Sequence, residues 1–138
     1  MITAVDTSVL LDVFLADPSF GVRSREALRA CTREGRLVAC DVVWAEVAAA
    51  FAAEAPAREA LDRLGVEFSG LDAGAALVAG RAFNDYRKRG GSRQRLVPDF
   101  LVGAHAQAQA DRLLTRDRGF YRSYFQAVTV LDPSTASR

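Results

Sequence analysis

The segment Ile2–Leu11, ITAVDTSVLL, contains the pattern from which the fold is inferred. Its residues are largely apolar, and Asp6 stands in their middle. A short apolar run of this kind is typical of a buried strand. A buried carboxylate is costly unless a partner or a metal ion neutralises it. The segment therefore predicts a core strand that ends at Asp6, and compensating groups that reach Asp6 from elsewhere in the chain.

Strand-like and helical segments alternate along the whole chain. The apolar pattern predicts five short strands, at Ile2–Asp6, Leu37–Cys40, Val66–Phe68, Arg112–Thr115 and Ala127–Leu131. It also predicts six helices, at Ser8–Leu15, Ser19–Glu34, Val42–Glu54, Ala57–Leu64, Ala73–Arg89 and Asp99–Ala110. This alternation is typical of an α/β protein in which helices cover both faces of a parallel sheet. Ligands of such sheets bind beyond the carboxyl ends of the strands.

The composition is that of an ordinary globular chain. The 138 residues, half of them hydrophobic and a quarter charged, predict a single domain over residues 1–138. The net charge of +1 does not by itself indicate nucleic acid or membrane as a partner. We recognise no signal peptide and no membrane-spanning stretch, so we expect a cytoplasmic protein without a membrane partner. Cys31 and Cys40 are expected to be reduced structural thiols.

Four acidic residues stand at the edges of apolar elements. Asp6 ends the first predicted strand and Asp117 follows the fourth, so both are expected at the same edge of the sheet. Glu46 falls on an apolar face of its helix made mostly of small residues, whereas a solvated glutamate normally lies on the polar face. Asp99 follows Pro98 in the first turn of its helix, where the helix dipole favours an acid.

Each acid on its own has a structural explanation: a helix-edge glutamate, a helix-capping aspartate or a turn aspartate. Together they favour convergence at one edge of the sheet. Two unit charges ~4 Å apart repel by about 4 kcal/mol at an effective dielectric near 20, so several such pairs are hard to tolerate without a cation. Ligation by oxygen alone suits Mg²⁺ or Mn²⁺. A carboxylate site that holds such ions is the usual apparatus for phosphodiester hydrolysis, because the ion activates water and neutralises charge on the phosphate.

Four segments, VDTSVLLD, VVWAEV, LVPDFLVGAHA and LLTRDRGFY, resemble those of PIN-domain ribonucleases, and more narrowly those of the VapC-type toxins of bacterial toxin–antitoxin pairs. The resemblance covers nearly the whole chain in the family's order. It implies a three-layer α/β/α fold with a central parallel sheet of about five strands. It also implies an acidic pocket for Mg²⁺ or Mn²⁺, endoribonuclease activity, inhibition by a small antitoxin protein, and a homodimer.

The resemblance assigns roles to individual residues. Asp6, Glu46, Asp99 and Asp117 match the four acids of the family pattern, as catalytic residues and metal ligands, with Asp6 and Asp99 the firmest ligands. Thr7 and Thr115 stand where hydroxyls support such carboxylates through hydrogen bonds. Asp41 departs from the pattern, because a small hydroxyl residue is expected there. It is interpreted as a helix N-cap, or as an additional acid near the pocket.

A basic segment precedes Asp99. YRKRGGSRQR carries Lys88 and four arginines without an intervening acid, so it is either a solvated face or an RNA-gripping loop. The predicted RNA-binding residues are Arg87, Arg89, Arg93, Arg95 and, beside Asp117, Arg116. Tyr86 could stack on a base, although a packing role is favoured.

Other catalytic sites lack support in the sequence. His105, the only histidine, lies about 240° around its helix from Asp99, so a packed structural role is expected. A phosphatase of the haloacid-dehalogenase type would carry an aspartate two residues after Asp6, where Ser8 stands; the next acid, Asp12, lies well inside the helix.

The sequence thus predicts a metal-dependent endoribonuclease toxin that cleaves single-stranded or loop RNA, with tRNA or rRNA as the targets implied by resemblance. Two alternatives stay open: a PIN-like structure-specific nuclease acting on DNA, and a catalytically silent PIN-fold binding module. The chain is too short for the extra helical parts of flap nucleases, and the presence of all four acids argues against a silent module.

Overall fold

A computed structural model of the protein describes residues 1–92 and 95–136. Its centre is a sheet of five parallel strands in the order β3-β2-β1-β4-β5. The strands are β1 (Ile2–Val5), β2 (Arg36–Ala39), β3 (Val66–Phe68), β4 (Arg112–Leu114) and β5 (Thr129–Leu131). Helices cover both faces of the sheet, so the predicted three-layer α/β/α fold is confirmed.

Eight helices are described. They are α1 (Thr7–Phe14), α2 (Gly21–Glu34), α3 (Asp41–Ala49), α4 (Glu54–Leu64), α5 (Ala73–Lys88), α6 (Val97–Gln109), α7 (Arg118–Tyr124) and α8 (Pro133–Ala136). No helix in the described ranges is long and apolar enough to cross a membrane.

Most predicted boundaries agree with the structure to within two or three residues, but the helix predicted at Val42–Glu54 is wrong. It ends at Ala49, and Glu54 begins the next helix. Pro56 lies in the first turn of α4, a position that proline tolerates, whereas its ring would clash inside a continuous helix. The stretch before Pro56 is rich in alanine, which favours a helix, so the sequence pattern does not reveal the break between α3 and α4. Two helices, α7 and α8, are not predicted by the sequence pattern.

The order of the strands creates the crevice in which ligands of such sheets bind. From the central strand β1 the chain runs outward through β2 and β3, and it then returns to build β4 and β5 on the other side of β1. The switch point therefore lies between the carboxyl ends of β1 and β4. There the Asp6 amide donates to the Leu114 carbonyl over 3.0 Å, so the residues that follow the two strands are neighbours.

An aromatic cluster fixes the helices beside this edge. The Phe100 ring, fully buried on α6, packs edge-on against Phe83, Tyr86 and Phe120, with ring centroids 5.1–5.5 Å apart. Tyr86 thus has the expected packing role. A Cβ at Gly103 would collide with the Phe125 ring, so this close approach of helix and ring requires glycine.

The residues expected to be structural are found in the core. Cys31 and Cys40 are free and buried. His105 is buried, and its Nε2 lies 2.9 Å from the Ser69 hydroxyl. Asp41 is not the N-cap of α3: the helix begins one residue earlier than predicted, so Cys40 occupies the N-cap and Asp41 the first turn.

Candidate active site

A cavity of about 490 Å³ opens at the carboxyl edge of the sheet, beside β1 and β4. The structure brings all four predicted acids to this one cavity, although they come from four separate parts of the chain. Its lining residues are Asp6, Thr7, Ser8, Leu11, Glu46, Asp99, Arg116 and Asp117. We call the four acids of this lining the rim acids.

Asp6 lies where β1 passes into α1. Its backbone is extended, and Oδ1 accepts a hydrogen bond of 2.8 Å from the Thr7 amide, so Asp6 is the N-cap of the helix. Oδ2 accepts a bond of 2.7 Å from the Thr115 hydroxyl. Burial nevertheless raises the pKa of Asp6 to about 6, with a smaller contribution from the negative charges of Asp99 and Glu46. The surroundings of the Asp6 carboxylate therefore favour the binding of a cation.

Asp99 is placed by the start of α6. It is the third residue of the helix, and Oδ2 accepts a hydrogen bond of 3.1 Å from the Leu96 amide. Pro98 suits the first turn because it has no N–H that would need a partner. The buried ring of Phe100, next in sequence, anchors this turn in the aromatic cluster.

Glu46 projects from α3, and its Oε1 accepts a hydrogen bond of 2.8 Å from the Thr7 hydroxyl. The expectation of an apolar face around Glu46 is only half right. Val43 is buried, but Glu46 and its neighbours Ala49 and Ala50 are exposed. The small residues leave this side of α3 open, which gives Glu46 access to the cavity.

Asp117 pairs with a cation from the basic segment. Arg95 forms an ion pair with the Asp117 carboxylate, and its guanidinium carbon lies 4.3 Å from the centre of the Phe120 ring. The Asp117 amide donates to the Thr115 hydroxyl over 3.0 Å. Thr115 therefore contacts two rim acids: its hydroxyl donates to Asp6 and accepts from Asp117.

Arg116 also lines the cavity, but its guanidinium pairs with an acid that is not one of the rim acids. Nε and Nη2 donate to the two carboxylate oxygens of Asp12 over 2.9 and 3.0 Å. Asp12 is only 3% exposed, and it also accepts a hydrogen bond from Ser24. In the sequence, Asp12 serves only to argue against a phosphatase of the haloacid-dehalogenase type. The sequence pattern does not predict its pair with Arg116, because the two residues lie 104 positions apart.

Arg87 and Arg89, also of the basic segment, lie at the C-terminal end of α5. Arg89 pairs with Asp85 over 3.1 Å, and Arg87 stands over the Phe83 ring at 5.9 Å. Neither lines the acidic cavity. Arg93 lies outside the described residues.

Tyr121 is a residue of the site that sequence reasoning missed, because the pattern predicts no helix in its segment. It is buried on α7, close to the carboxylates of Asp6, Asp99 and Asp117. Burial raises the pKa of this hydroxyl far above its usual range, and the negative charges of Asp6, Asp99 and Asp117 raise it further. Tyr121 thus remains a neutral group beneath the rim acids.

The rim acids offer oxygen ligands only, which suits a hard divalent cation. Among the described residues, no three acidic, histidine or cysteine side chains form a preassembled metal cage. Mg²⁺ does not need one, because it usually binds one or two carboxylates and keeps several of its waters. An open cavity lined by four acids fits this mode of binding.

Solved structures of other proteins share this fold. The fold matches VapBC2 from Rickettsia felis, solved with a promoter DNA fragment, with a TM-score of 0.73 and 17% identity over 96% of this chain and 98% of that chain. It matches VapBC-1 from nontypeable Haemophilus influenzae with a TM-score of 0.72 and 18% identity over 98% and 100%. A third match is Mycobacterium tuberculosis VapC20, described as a sarcin-ricin loop cleaving toxin. Its TM-score is 0.53 and its identity 16%, over 80% of this chain and 86% of that chain.

At these identities the structural matches are likenesses of fold. Comparison with curated protein sequences gives no significant match. The model of the PIN domain family, however, matches residues 3–126, which include all but the first residue of β1, the whole of β4 and all four rim acids. The chain belongs to the PIN domain family.

Proposed function

We propose that this protein is a metal-dependent endoribonuclease that cleaves single-stranded or loop RNA and acts as the toxin of a toxin–antitoxin pair, with residues 1–138 as one nuclease domain. The proposal depends on one observation above all: four acids from four elements line one cavity at the switch point of the sheet. PIN-domain nucleases are hydrolases of nucleic acids and generally use divalent metals, which agrees with this cavity.

Asp6 and Asp99 would hold a Mg²⁺ or Mn²⁺ ion, with Glu46 and Asp117 as further ligands or as acceptors for its waters. The ion, when bound, supplies an activated water and neutralises charge on the scissile phosphate. Thr115 orients Asp6, and Thr7 orients Glu46, through the hydrogen bonds that these hydroxyls donate. Cleavage is expected to leave 5′-phosphate and 3′-hydroxyl ends, as the family resemblance implies.

A nucleic-acid substrate is favoured by the described basic residues near the cavity, Arg95 and Arg116, which suit phosphate groups. The fold match to a toxin that cleaves the sarcin-ricin loop favours RNA. Splayed bases of a loop can enter an open cavity more easily than a duplex can.

The toxin role is favoured by the fold matches, several of which are complexes named VapBC. We expect a small antitoxin to cover the groove beside α1 and to place an arginine or lysine among the rim acids. A homodimer is expected from family resemblance.

The proposal is tested by incubating the purified protein with matched RNA and DNA oligonucleotides in Mg²⁺, in Mn²⁺ and in chelator. RNA cleavage that requires the ion supports the proposal. Preferential cutting of DNA flaps would favour a structure-specific DNA nuclease, and ion binding without cleavage of either would favour a binding module. The toxin role is tested by co-expression with the product of the neighbouring upstream gene, which should restore growth.

A further inference from the structure

Arg116 is held from two sides at the edge of the cavity. Its Nε and Nη2 make a bidentate pair with Asp12, at 2.9 and 3.0 Å. Its guanidinium carbon lies 4.1 Å from the centre of the Phe20 ring, close enough for a cation–π contact. The turn before α2 is fixed in turn by Asp17, whose Oδ1 accepts from the amides of Ser19 and Phe20 over 2.8 Å. The arginine is therefore restricted in both position and plane.

The residue that holds Arg116 is itself built into the core. Asp12 is 3% exposed, and the Ser24 hydroxyl on α2 donates to its Oδ2 over 2.8 Å. Removing such a carboxylate from water is costly, and a buried ion pair often contributes no more to stability than an apolar replacement would. Stability alone therefore gives little reason for this arrangement, and its position at the cavity points to a functional one.

The pairing leaves part of the guanidinium free. Arginine has five N–H donors, and a side-on pair with a carboxylate uses one on Nε and one on Nη2. The end of the guanidinium, with the two donors of Nη1 and the second donor of Nη2, has no further ion-pair partner within 4.0 Å among the described residues, although Asp17 and Asp132 lie near enough for the charge of Arg116 to lower their pKa values. About a third of the side chain is exposed, and it lines the same cavity as Asp6 and Asp117.

Arg95 shows how a cation without such a partner behaves. Its guanidinium pairs with Asp117, one of the rim acids. Arg116 is the residue next to Asp117 in sequence, and Asp12 instead draws its charge away from the four rim acids. A pinned arginine can therefore offer positive charge to a substrate without neutralising the carboxylates that would hold the metal.

We propose that Arg116 binds a phosphate of the RNA strand next to the scissile bond, and that Asp12 is a positioning residue that directs its guanidinium. The inference rests on the proposed RNA-cleaving function and adds to it a substrate contact and its support. The inference predicts that removal of the negative charge of Asp12 weakens RNA binding. General electrostatics predicts the opposite, because a protein with one acid fewer attracts a polyanion more strongly.

The test measures binding of a fluorescein-labelled single-stranded oligoribonucleotide of mixed sequence by anisotropy, in chelator so that no cleavage occurs, and at several salt concentrations. The variants are Arg116→Ala, Arg116→Lys, Asp12→Asn and the double variant Asp12→Asn/Arg116→Ala. Arg118→Ala is the matched control, since Arg118 is an exposed arginine two residues away that does not line the cavity. Circular dichroism and thermal melts confirm that each variant is folded.

We expect Arg116→Ala to raise the Kd about tenfold and to reduce the salt slope by about 0.7, the value for one phosphate contact on a single strand. Asp12→Asn should raise the Kd by a similar factor. The Kd of the double variant should be no higher than that of either single variant. Arg118→Ala should bind like wild type. Should Asp12→Asn fail to fold, Arg116→Lys tests the same point, because it keeps the charge but cannot make the side-on pair and should also bind more weakly.

The inference is overturned if Asp12→Asn binds RNA as tightly as wild type or more tightly, if Arg116→Lys binds like wild type, or if Arg118→Ala loses as much as Arg116→Ala. Each of these outcomes is compatible with RNA cleavage by wild type in Mg²⁺, which is measured separately and decides the proposed function. If wild type neither binds RNA in chelator nor cleaves it in Mg²⁺, both the inference and the proposed function fail.

Discussion

The Thr115 hydroxyl donates a hydrogen bond of 2.7 Å to Asp6 Oδ2, and so joins the ends of two adjacent strands that are 109 residues apart in sequence. The same hydroxyl accepts a bond of 3.0 Å from the Asp117 amide. Thr115 is fully buried, so water does not replace it easily. One hydroxyl group thereby sets the spacing of two rim acids.

Replacing Thr115 with Val tests this role. Valine keeps the size and the strand preference of threonine but removes the hydroxyl, which leaves Asp6 Oδ2 without this donor and the Asp117 amide without this acceptor. We expect RNA cleavage to slow by about 10–100-fold, the usual effect of losing a group that orients a metal ligand. Thr115→Ser should retain most of the activity. Equal rates for Thr115→Val and wild type in Mg²⁺ would show that the hydroxyl has no such role.

The metal-ligand assignment predicts that Asp6→Asn and Asp99→Asn abolish RNA cleavage in Mg²⁺ or Mn²⁺ while the fold persists. Asparagine keeps the N-cap hydrogen bond of Asp6 but lacks the charge that attracts the ion. Asp62→Asn is the control, because Asp62 is an exposed acid on α4 that does not line the cavity. Cleavage by either rim variant at the wild-type rate contradicts the assignment.

The sequence predicted those parts of the site that depend on local signals. Asp6 directly follows an apolar strand, and Asp99 follows a proline in the first turn of a helix, so each position is encoded by its immediate neighbours. Alternating strands and helices then require parallel strands, whose carboxyl ends share one edge. The five-stranded parallel sheet and the common edge follow from these facts.

The rest depended on which surfaces meet in three dimensions. Helical periodicity placed Glu46 among small residues, but it could not show that this face of α3 stays open rather than buried. The pair Asp12–Arg116 joins residues 104 positions apart, and any of several acids would have suited Arg116 equally well by charge. The predicted role of Arg95 in RNA binding likewise gave no hint that it pairs with Asp117.

That pair leads to a prediction about metal affinity. Arg95 neutralises Asp117 in the metal-free protein, so an ion that uses Asp117 must displace it. We expect Arg95→Ala to bind Mn²⁺ several-fold more tightly, as measured by calorimetry, because about 1 kcal/mol of competition from a partly exposed pair is removed. Arg89→Ala, which breaks the exposed pair with Asp85, should leave Mn²⁺ affinity unchanged. Weaker or unchanged Mn²⁺ binding by Arg95→Ala would mean that Asp117 contributes little to the ion.

His105 predicts how stability depends on pH. Burial lowers the pKa of His105 below its ordinary value of 6.5, although Asp41 and Asp72 partly oppose this. The folded state therefore binds the proton less readily than the unfolded state, and stability falls as the pH drops through about 6.5. The raised pKa of Asp6 acts in the opposite direction over an overlapping range, so wild type is best compared with a His105→Gln variant.

Urea unfolding of both proteins at ~pH 8 and ~pH 5.5 separates the histidine contribution. The free energy of unfolding of wild type should fall more between these two conditions than that of His105→Gln. Parallel losses in both proteins would indicate that His105 titrates normally in the folded state.

Asp6 is expected to destabilise the metal-free protein. Its pKa rises from 3.8 to about 6 on folding, which corresponds to roughly 3 kcal/mol lost above pH 6 and regained as the pH falls toward 3.8. Asp6→Asn removes this penalty, while asparagine is as good an N-cap as aspartate. In chelator at neutral pH the variant should therefore melt at or above the wild-type temperature, and the advantage should shrink as the pH falls below about 6.

In Mg²⁺, wild type should melt at a higher temperature than Asp6→Asn. A ligand that binds only the folded state adds roughly 2.7 kcal/mol of stability at a hundredfold excess over its Kd, so the wild-type melting temperature should rise with Mg²⁺. Asp6→Asn lacks a ligand and should respond little. If Asp6→Asn melts clearly below wild type in chelator, and Mg²⁺ moves neither melting curve, then Asp6 is only a helix cap and no cation compensates it.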